Sequence, residues 1–416
     1  MLTFTELQQA LRAATAAHVP FYRKLYDMKG GDPPLSLSSY EEWSRLPFVT
    51  KEMLLRTPLR DRLFVPLSQL DSVYASSGTT GAPLFSPRQQ LSGWEFRAQF
   101  HEFTRPLLSA VTYQHKTEYF FEMLGRHIPV VSLDIRNIRA SLRLANAARV
   151  DSAKISSHVL VLVGEEMRRL GIAERIRFLE VGGGAFSRSL YDYARKTFPH
   201  AVLTSTYGAS EVECSPPAIS CRPLSESEPF EFFHANAGVH FELIHPDTGK
   251  QVIPEASAEG ELVVTSYAGT QSAFPLLRYR IGDMARIYES SCVEHGTWSF
   301  SVLGRKEADR VKIPGGLFMA DEIERVLRLF PHRVGDRFAL HYRERAEHPF
   351  IEATLHVEFR DAPNIDIASD IAKELRIGPS FTFAQGVAEG LYAPLRCAPF
   401  AEAGKAKRLR IVRDVS

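Results

Sequence analysis

The segment Ser76–Gly81 combines two glycines with four hydroxyl side chains and follows a short predicted strand at 71–75. Glycine lets the backbone turn tightly and approach a ligand, so the N–H groups and hydroxyls of such a loop can hold phosphate oxygens. The loop lacks the G-x-x-x-x-G-K-S/T pattern of a Walker A motif. A polar surface turn has the same composition, so a phosphate site needs partner residues elsewhere in the chain. The residues concerned are Ser76, Ser77, Gly78, Thr79, Thr80 and Gly81.

Residues Ser76–Pro83 resemble the phosphate loop of the adenylate-forming superfamily, the acyl- and aryl-CoA synthetases, usually written S-S/T-G-T-T-G-x-P. Ala82 departs from the family pattern, which often has lysine at that position, so any further cation must come from elsewhere. The resemblance implies a ligase that activates a carboxylic acid with ATP to form an acyl-adenylate. It implies that Thr79 and Thr80 hold the departing phosphates, and it requires further motifs in a fixed order.

A glycine run at 182–185 follows the predicted strand 178–181. It resembles the family segment that lies against adenine, although a glycine run alone is more often a turn. The resemblance implies nucleotide contacts from Gly183, Gly184 and Ala185.

The segment 205–211 matches the family motif Y-G-x-S/T-E. The ring of Tyr207 could stack on adenine, and the carboxylate of Glu211 could hold the Mg²⁺ that bridges ATP phosphates. A core tyrosine and a solvated helix charge are the alternative interpretations. The motif implies nucleotide contacts from Tyr207, Gly208 and Ser210.

Two later motifs complete the series. The segment 278–283 resembles R-Y-x-T-G-D, whose aspartate, here Asp283, binds the ribose hydroxyls as an ionised carboxylate can. The segment 403–408 matches G-K-x-x-R, which implies that Lys405 is the catalytic lysine. A cation there would neutralise the negative charge that spreads over the α-phosphate and the attacking carboxylate. A turn residue and a solvated basic tail are the respective alternatives.

The segment 304–309 resembles the G-R-x-D-D hinge of the family, which implies a nucleotide contact from Arg305. One extra residue before Gly315 splits the acidic pair, so the hinge residue is either Lys306 or Asp309. We therefore predict an N-terminal adenylation domain, 1–303, and a small mobile C-terminal domain, 304–416. Rotation of the second domain would remove Lys405 from the site and admit the thiol.

Two N-terminal motifs indicate one branch of the superfamily. The segment 17–24 looks like the N-V-P-F-Y-R-K signature of phenylacetate–CoA ligases, and 46–51 resembles their L-P-x-T-x-K. Residues 86–180 depart from that branch, and this region shapes the acyl pocket. The branch favours an aromatic acid, and an apolar pocket for it could include Phe120, Phe121 and Met123, although such clusters are more often core.

The acyl acceptor is not fixed by these motifs. Coenzyme A is the default that the branch implies. An amine, a carrier protein or a reductase is the main alternative, as in a biosynthetic pathway of secondary metabolism. Transfer to an enzyme thiol at Cys397 is a third option, and a catalytically inactive nucleotide-binding homologue is a fourth.

A structural Zn²⁺ site is a further hypothesis. Members of the branch often carry cysteines and a histidine after the tyrosine motif, and Cys221, His234 and Cys292 occupy comparable positions here. Cys214 or His295 could complete a tetrahedral set of the ligands that Zn²⁺ prefers. Buried free cysteines with a surface histidine are the alternative.

Composition restricts the remaining classes of function. The 416 residues carry a formal net charge of +1, which gives no overall field for nucleic acid or an acidic membrane. Four cysteines and the absence of an apolar run of about 20 residues favour a cytoplasmic enzyme. The expected partners are a small carboxylic acid and an acyl acceptor, and a homodimer is one option for the assembly.

The elements that must position these residues indicate an α/β fold. Apolar runs at 159–163 and 178–181 predict buried parallel strands that alternate with helices. After residue 215 the pattern changes to turn-linked strands at 239–244, 261–265 and 285–288. We expect a large N-terminal domain with parallel and mixed sheets flanked by helices, a β-rich subdomain, and a small C-terminal α+β domain. Helices are predicted at 2–17 and 321–327, and a half-exposed strand at 353–359.

Overall fold

The structure of the protein is a computed structural model. It describes residues 1–16, 18–28, 34, 36–70, 72–75, 84–88, 105–110, 130–134, 137–184, 186–213, 216–220, 222–226, 231–269, 272–292, 297–305, 310–314, 316–360, 366–378, 381–400 and 411–414. The helices within these ranges are α1 Phe4–Ala14, α2 Pro20–Asp27, α3 Tyr40–Ser44, α4 Lys51–Arg56, α5 Ile138–Ala147, α6 Leu160–Arg169, α7 Arg188–Thr197, α8 Ala320–Leu327, α9 Ile367–Glu374 and α10 Phe383–Ala388.

The strands within the same ranges are β1 Ser72–Ala75, β2 Phe85–Arg88, β3 Leu107–Ala110, β4 Val130–Ser132, β5 Ser152–Ser156, β6 Phe178–Gly182, β7 Val202–Tyr207, β8 Ala218–Ser220, β9 Phe233–Ala235, β10 Val239–Ile244, β11 Glu259–Ser266, β12 Leu276–Glu289, β13 Ser299–Arg305, β14 Arg310–Ile313, β15 Gly316–Met319, β16 Val334–Glu344, β17 Ile351–Phe359, β18 Arg376–Gly378, β19 Phe381–Thr382, β20 Arg396–Pro399 and β21 Ile411–Arg413.

The chain divides into two compact units. Unit 1 comprises residues 1–104, 113–129 and 202–306, and unit 2 comprises 105–112, 130–201 and 307–416. The predicted division into domains 1–303 and 304–416 stays a prediction.

Unit 1 is rich in antiparallel strands. Seven of them pair in the order β10-β11-β12-β13-β9-β8-β7, and β1 pairs separately with β2. Every residue of β10 is buried, and helices α1–α4 contribute to the same hydrophobic core. Two register shifts interrupt the pairing of β11 with β12. Unit 1 thus contains the β-rich part that the sequence predicted.

Unit 2 contains parallel strands flanked by helices and a separate small sheet. The parallel strands pair in the order β6-β5-β3-β4. The connections from β4 to β5 and from β5 to β6 contain α5 and α6, so strands and helices alternate as predicted. The second sheet has the order β20-β17-β16-β21 and combines antiparallel with parallel pairs. The predicted α/β fold class is confirmed, and so is the smaller C-terminal region of α+β type.

The predicted strand at 159–163 is wrong. This run begins helix α6, whose residues Leu160, Val161, Val163 and Met167 are all buried. Leu162 is only partly buried, so five consecutive apolar residues hide the single buried face of the helix. A short continuous apolar run cannot be assigned to a strand or a helix by periodicity alone. The strand in this region is β5, a sequence of small and polar residues that periodicity does not single out.

Other predicted elements are confirmed with adjusted ends. Helix α1 begins at Phe4 because Thr3 and Glu6 form a reciprocal capping box at its N-terminus. Helix α8 contains the predicted range 321–327, and β17 contains the alternating range 353–359. Strand β12 is 14 residues long and extends well beyond the predicted range 285–288. No helix in the described part of the chain is long and apolar enough to cross a membrane.

Candidate nucleotide-binding site

Glu211 lies in the turn that follows β7, beside a lysine from the N-terminal region. Its Oε1 atom is 4.0 Å from the Nζ atom of Lys51, and the two side chains are 10% and 23% exposed, respectively. The Ser210 hydroxyl donates to Glu211 Oε2 over 3.3 Å. Carboxylate and hydroxyl oxygens are hard donors that suit Mg²⁺, which needs few protein ligands when phosphates supply the others. These residues therefore fit the predicted Mg²⁺ role of Glu211.

Strand β12 fixes the position of Lys51. Val49 N donates to Arg278 O over 3.1 Å, and Arg280 N donates to Val49 O over 2.9 Å. The buried Arg278 guanidinium also donates to the Leu46 carbonyl and pairs with Glu242. These contacts hold the segment 46–51 against the strand that carries the R-Y-x-T-G-D motif. The predicted nucleotide motif thus has a structural arginine at its start.

Tyr207 and Asp283 form a direct hydrogen bond. The Tyr207 hydroxyl donates to Asp283 Oδ2 over 2.6 Å. Tyr207 is 8% exposed, and its ring packs near the rings of Phe233 and Phe300, with centroids 6.0 Å away in both cases. The ring therefore belongs to the core, as the alternative interpretation predicted, while its hydroxyl reaches the predicted ribose ligand.

Asp283 lies within β12, at a point where the backbone bends. Gly282 has a φ of +82°, a left-handed conformation that favours glycine. Asp283 is paired across the sheet with Arg305 of β13 in the Cα register. The structure thus brings together the backbone positions of Asp283 and Arg305, and the Arg305 side chain lies outside what the structure describes.

Arg88 is a residue of this region that the motifs did not predict. It ends β2, and its Nη2 atom donates to the carbonyl oxygen of Ser210 over 2.8 Å. Its side chain is buried, which is unusual for arginine, and nothing in the neighbouring sequence indicates that burial. The strand after the phosphate loop is therefore bonded to the turn that carries Glu211.

Gly183 and Gly184 lie in unit 2, directly after β6. Gly183 has a φ of +75°, and a Cβ atom there would be 3.5 Å from the hydroxyl oxygen of Ser156. The glycine keeps the end of the parallel strand free of a side chain, as close approach of a ligand would require.

Several predicted residues lie outside the described part of the chain. They include the whole phosphate loop, although its flanking strands pair so that Ala75 is opposite Phe85. The residues concerned are Ser76–Pro83, Phe120, Phe121, Met123, Ala185, Cys214, Cys221, His295, Lys306, Asp309, Gly315 and Lys405.

Two of the predicted zinc ligands are described. His234 is fully buried in β9, and Cys292 packs with Phe232, whose ring is 6.4 Å from that of His234. Within the described ranges, no group of three or more histidine, cysteine, aspartate or glutamate residues could hold a metal ion. Cys221 lies outside these ranges, so the zinc site stays a prediction.

Comparison with known proteins gives relatives of one kind. No protein-family model matches the chain. It is similar to the phenylacetate-coenzyme A ligase of Aromatoleum evansii, with 29% identity over 287 residues, 65% of this chain and 62% of that ligase. The similarity to that relative therefore spans less than two thirds of its length. The phenylacetate-coenzyme A ligase of Thermus thermophilus is 28% identical over 401 residues, which cover 89% of this chain and 83% of that ligase.

A solved structure shares the fold. The crystal structure of 2-hydroxyisobutyryl-CoA ligase, with 2-HIB-AMP and CoA in the thioesterification state, has a TM-score of 0.70 at 17% identity. The match covers 99% of this chain and 88% of that chain, and it establishes the fold.

The fold is that of the adenylate-forming ligases, as the ordered motifs predicted. The resemblance to the phenylacetate–CoA ligase branch is likewise confirmed by the two curated relatives. Their names agree with the predicted class of enzyme, an acid–thiol ligase.

Proposed function

We propose that this chain activates a carboxylic acid with ATP and transfers the acyl group of the resulting acyl-adenylate to coenzyme A. The observation that carries the proposal is the arrangement of Glu211, Lys51, Tyr207 and Asp283 in unit 1. The three polar groups thus lie on segments that match family motifs: the Glu211 carboxylate for Mg²⁺, the Lys51 cation, and the Asp283 carboxylate for the ribose.

In the first step a carboxylate oxygen of the acid attacks the α-phosphorus of ATP. A bond forms between that oxygen and the α-phosphorus, and the bond from the α-phosphorus to the leaving pyrophosphate breaks. Mg²⁺, when bound, neutralises charge on the phosphates. Glu211 holds it, Asp283 orients the ribose, and Lys405 stabilises the charge that develops at the α-phosphate. Such catalysis consists mainly of positioning and electrostatic stabilisation.

In the second step the thiol sulfur forms a bond to the acyl carbon and its proton is released to water. The acyl–oxygen bond breaks, and AMP leaves with the electrons of that bond. Coenzyme A as the acceptor is supported by the names of the two curated relatives. The alternative of transfer to Cys397 is weakened, because burial raises the pKa of its thiol to about 11 and so disfavours the nucleophilic thiolate.

An ATP–pyrophosphate exchange assay over aromatic and aliphatic acids tests the first step. Exchange that depends on the acid is expected, with aromatic acids preferred, as the phenylacetate–CoA ligase names suggest. ATP binding without exchange for any acid would favour an inactive nucleotide-binding protein. Product analysis with CoA, an amine and a carrier protein as competing acceptors then tests the second step.

We also propose a structural Zn²⁺ held by Cys221, His234 and Cys292. His234 and Cys292 are both buried and both lie next to Phe232, and this supports the proposal. Elemental analysis of the purified protein should give about one equivalent of zinc. A metal-free, folded and active preparation would contradict it.

A further inference from the structure

Glu213 is a buried carboxylate two residues beyond Glu211. Its Oε1 atom accepts from Ala273 N over 2.8 Å, and its Oε2 atom accepts from the Ser272 hydroxyl over 2.9 Å. A longer bond of 3.4 Å comes from Phe274 N. The carboxylate thus bonds the segment 272–274, which directly precedes β12 and its Asp283.

The environment of Glu213 also contains a buried cation. The buried Arg88 guanidinium acts by its charge on the Glu213 carboxylate. Arg88 donates in turn to Ser210 O, one residue before Glu211. Buried charges are costly unless they are paired and hydrogen-bonded, so both side chains depend on the contacts that they make here.

The segment that Glu213 bonds is also fixed from its other side. Ala273 O accepts from Phe64 N over 2.8 Å. The Tyr22 hydroxyl donates to Pro275 O over 2.7 Å and accepts from Leu277 N over 2.8 Å. The segment is therefore a rigid point of attachment, to which Glu213 bonds the turn with Glu211.

We propose that Glu213 and Arg88 are positioning residues for the ATP and Mg²⁺ site, and this proposal rests on the proposed function. Together they join three segments: strand β2, the turn with Glu211, and the residues 272–274 that precede the strand with Asp283. Neither residue needs to touch the nucleotide. Their effect is to keep the phosphate, metal and ribose ligands in a fixed mutual arrangement.

The test measures ATP binding to the purified full chain by calorimetry, as a function of Mg²⁺ concentration and without any acid. The variants are Glu213→Gln, Arg88→Met and the double variant. The Mg²⁺ concentration for half-maximal ATP binding should rise about tenfold in Glu213→Gln, as for other residues that orient a metal ligand. In the double variant the fold-rise in this Mg²⁺ concentration should be smaller than the product of the two single rises. The reason is that Glu213→Gln alone leaves a buried cation without its counter-charge.

Glu165→Gln serves as the matched control. Glu165 is a largely buried carboxylate of unit 2 that accepts from the Tyr193 hydroxyl over 3.2 Å, and it has no place in the nucleotide site. This variant should lower the thermal midpoint without changing the Mg²⁺ dependence. If Glu213 contributes to folding alone, Glu213→Gln should likewise lower the thermal midpoint and leave the Mg²⁺ dependence unchanged.

A folded Glu213→Gln protein whose half-maximal Mg²⁺ concentration stays within about twofold of the wild-type value would overturn the proposal, since metal-orienting residues normally contribute more. If that variant does not fold, the same criterion applies to the double variant, which carries neither buried charge. The proposed function fails separately, and this inference with it, if the wild-type chain itself binds no ATP at any Mg²⁺ concentration.

Discussion

The ammonium group of Lys51 lies 4.0 Å from the carboxylate of Glu211, although 160 residues separate them in the chain. Lys51 is the first residue of α4, and Thr50 caps that helix by accepting from Met53 N. The phosphate loop has Ala82 where the family often has lysine. Lys51 therefore provides a cation beside the carboxylate that we assign to Mg²⁺.

Replacing this lysine tests whether it acts on the phosphates. We expect Lys51→Met to raise the KM for ATP in the exchange assay by about tenfold or more, because a hydrogen bond to a charged group contributes ~1.5–3 kcal/mol. Lys24→Met is the control, since Lys24 is an exposed lysine paired with Asp61 over 3.3 Å. Equal KM values for the two variants would count against the assignment.

Removing one oxygen tests the bond between Tyr207 and Asp283. Tyr207→Phe keeps the ring in the core and deletes the 2.6 Å hydrogen bond, so Asp283 loses the group that orients it. The KM for ATP should rise by about fivefold, which corresponds to a net hydrogen bond of ~1 kcal/mol.

Tyr193→Phe provides the comparison for this variant. The Tyr193 hydroxyl is buried and bonds Val161 O and Glu165 in unit 2, each over 3.2 Å. Its loss should lower the free energy of unfolding by about 1 kcal/mol and leave the KM for ATP unchanged. A KM effect of the same size in both variants would indicate a general loss of stability.

The catalytic role of Lys405 predicts a separation of chemistry from binding. Lys405→Ala should lower the rate of adenylation by about a hundredfold or more, as does removal of other groups that stabilise developing negative charge. ATP affinity should stay close to that of the wild type. Lys407→Ala, two positions further along the same basic segment, is the control. Unchanged adenylation in the Lys405 variant would refute the assigned role.

Glu231 predicts a pH dependence of stability. Burial raises the pKa of its carboxyl to about 8. The folded state therefore binds a proton that the unfolded state has released above its ordinary pKa of 4.5. Between these two pH values the free energy of unfolding should fall as pH rises, by up to ~1.4 kcal/mol per pH unit from this group.

Urea unfolding at several pH values from 5 to 8 measures this effect. Other groups also titrate, so the informative quantity is the difference between the wild type and Glu231→Gln. That difference in unfolding free energy should change steadily across the range. A difference that is constant with pH would show that Glu231 keeps an ordinary pKa in the folded chain.

The ordered motifs could be read from the sequence because each is short and local. The Y-G-x-S/T-E match, for example, predicted the region in which Tyr207, Ser210 and Glu211 occur together. The helix that replaces the predicted strand at 159–163 could not be read, since a run of five apolar residues is too short and too uniform to show helical periodicity.

Contacts between distant segments were also inaccessible to sequence reasoning. Arg88 and Glu213 are charged residues, which are normally exposed, and nothing in their local sequence indicates burial. Likewise, Arg278 belongs to a predicted nucleotide motif, yet its guanidinium is used to hold Glu242 and the Leu46 carbonyl. Contacts between segments that are distant in the chain place each of these three residues.

Tyr207 contributes its ring to the hydrophobic core and its hydroxyl to Asp283, and selection would act on these two parts separately. A descendant of this chain that no longer used ATP would still need the ring in order to fold. The hydroxyl oxygen would no longer be needed and could be lost by the single substitution Tyr207→Phe. Among future homologues, phenylalanine at this position would therefore mark lineages that have kept the architecture and abandoned the nucleotide.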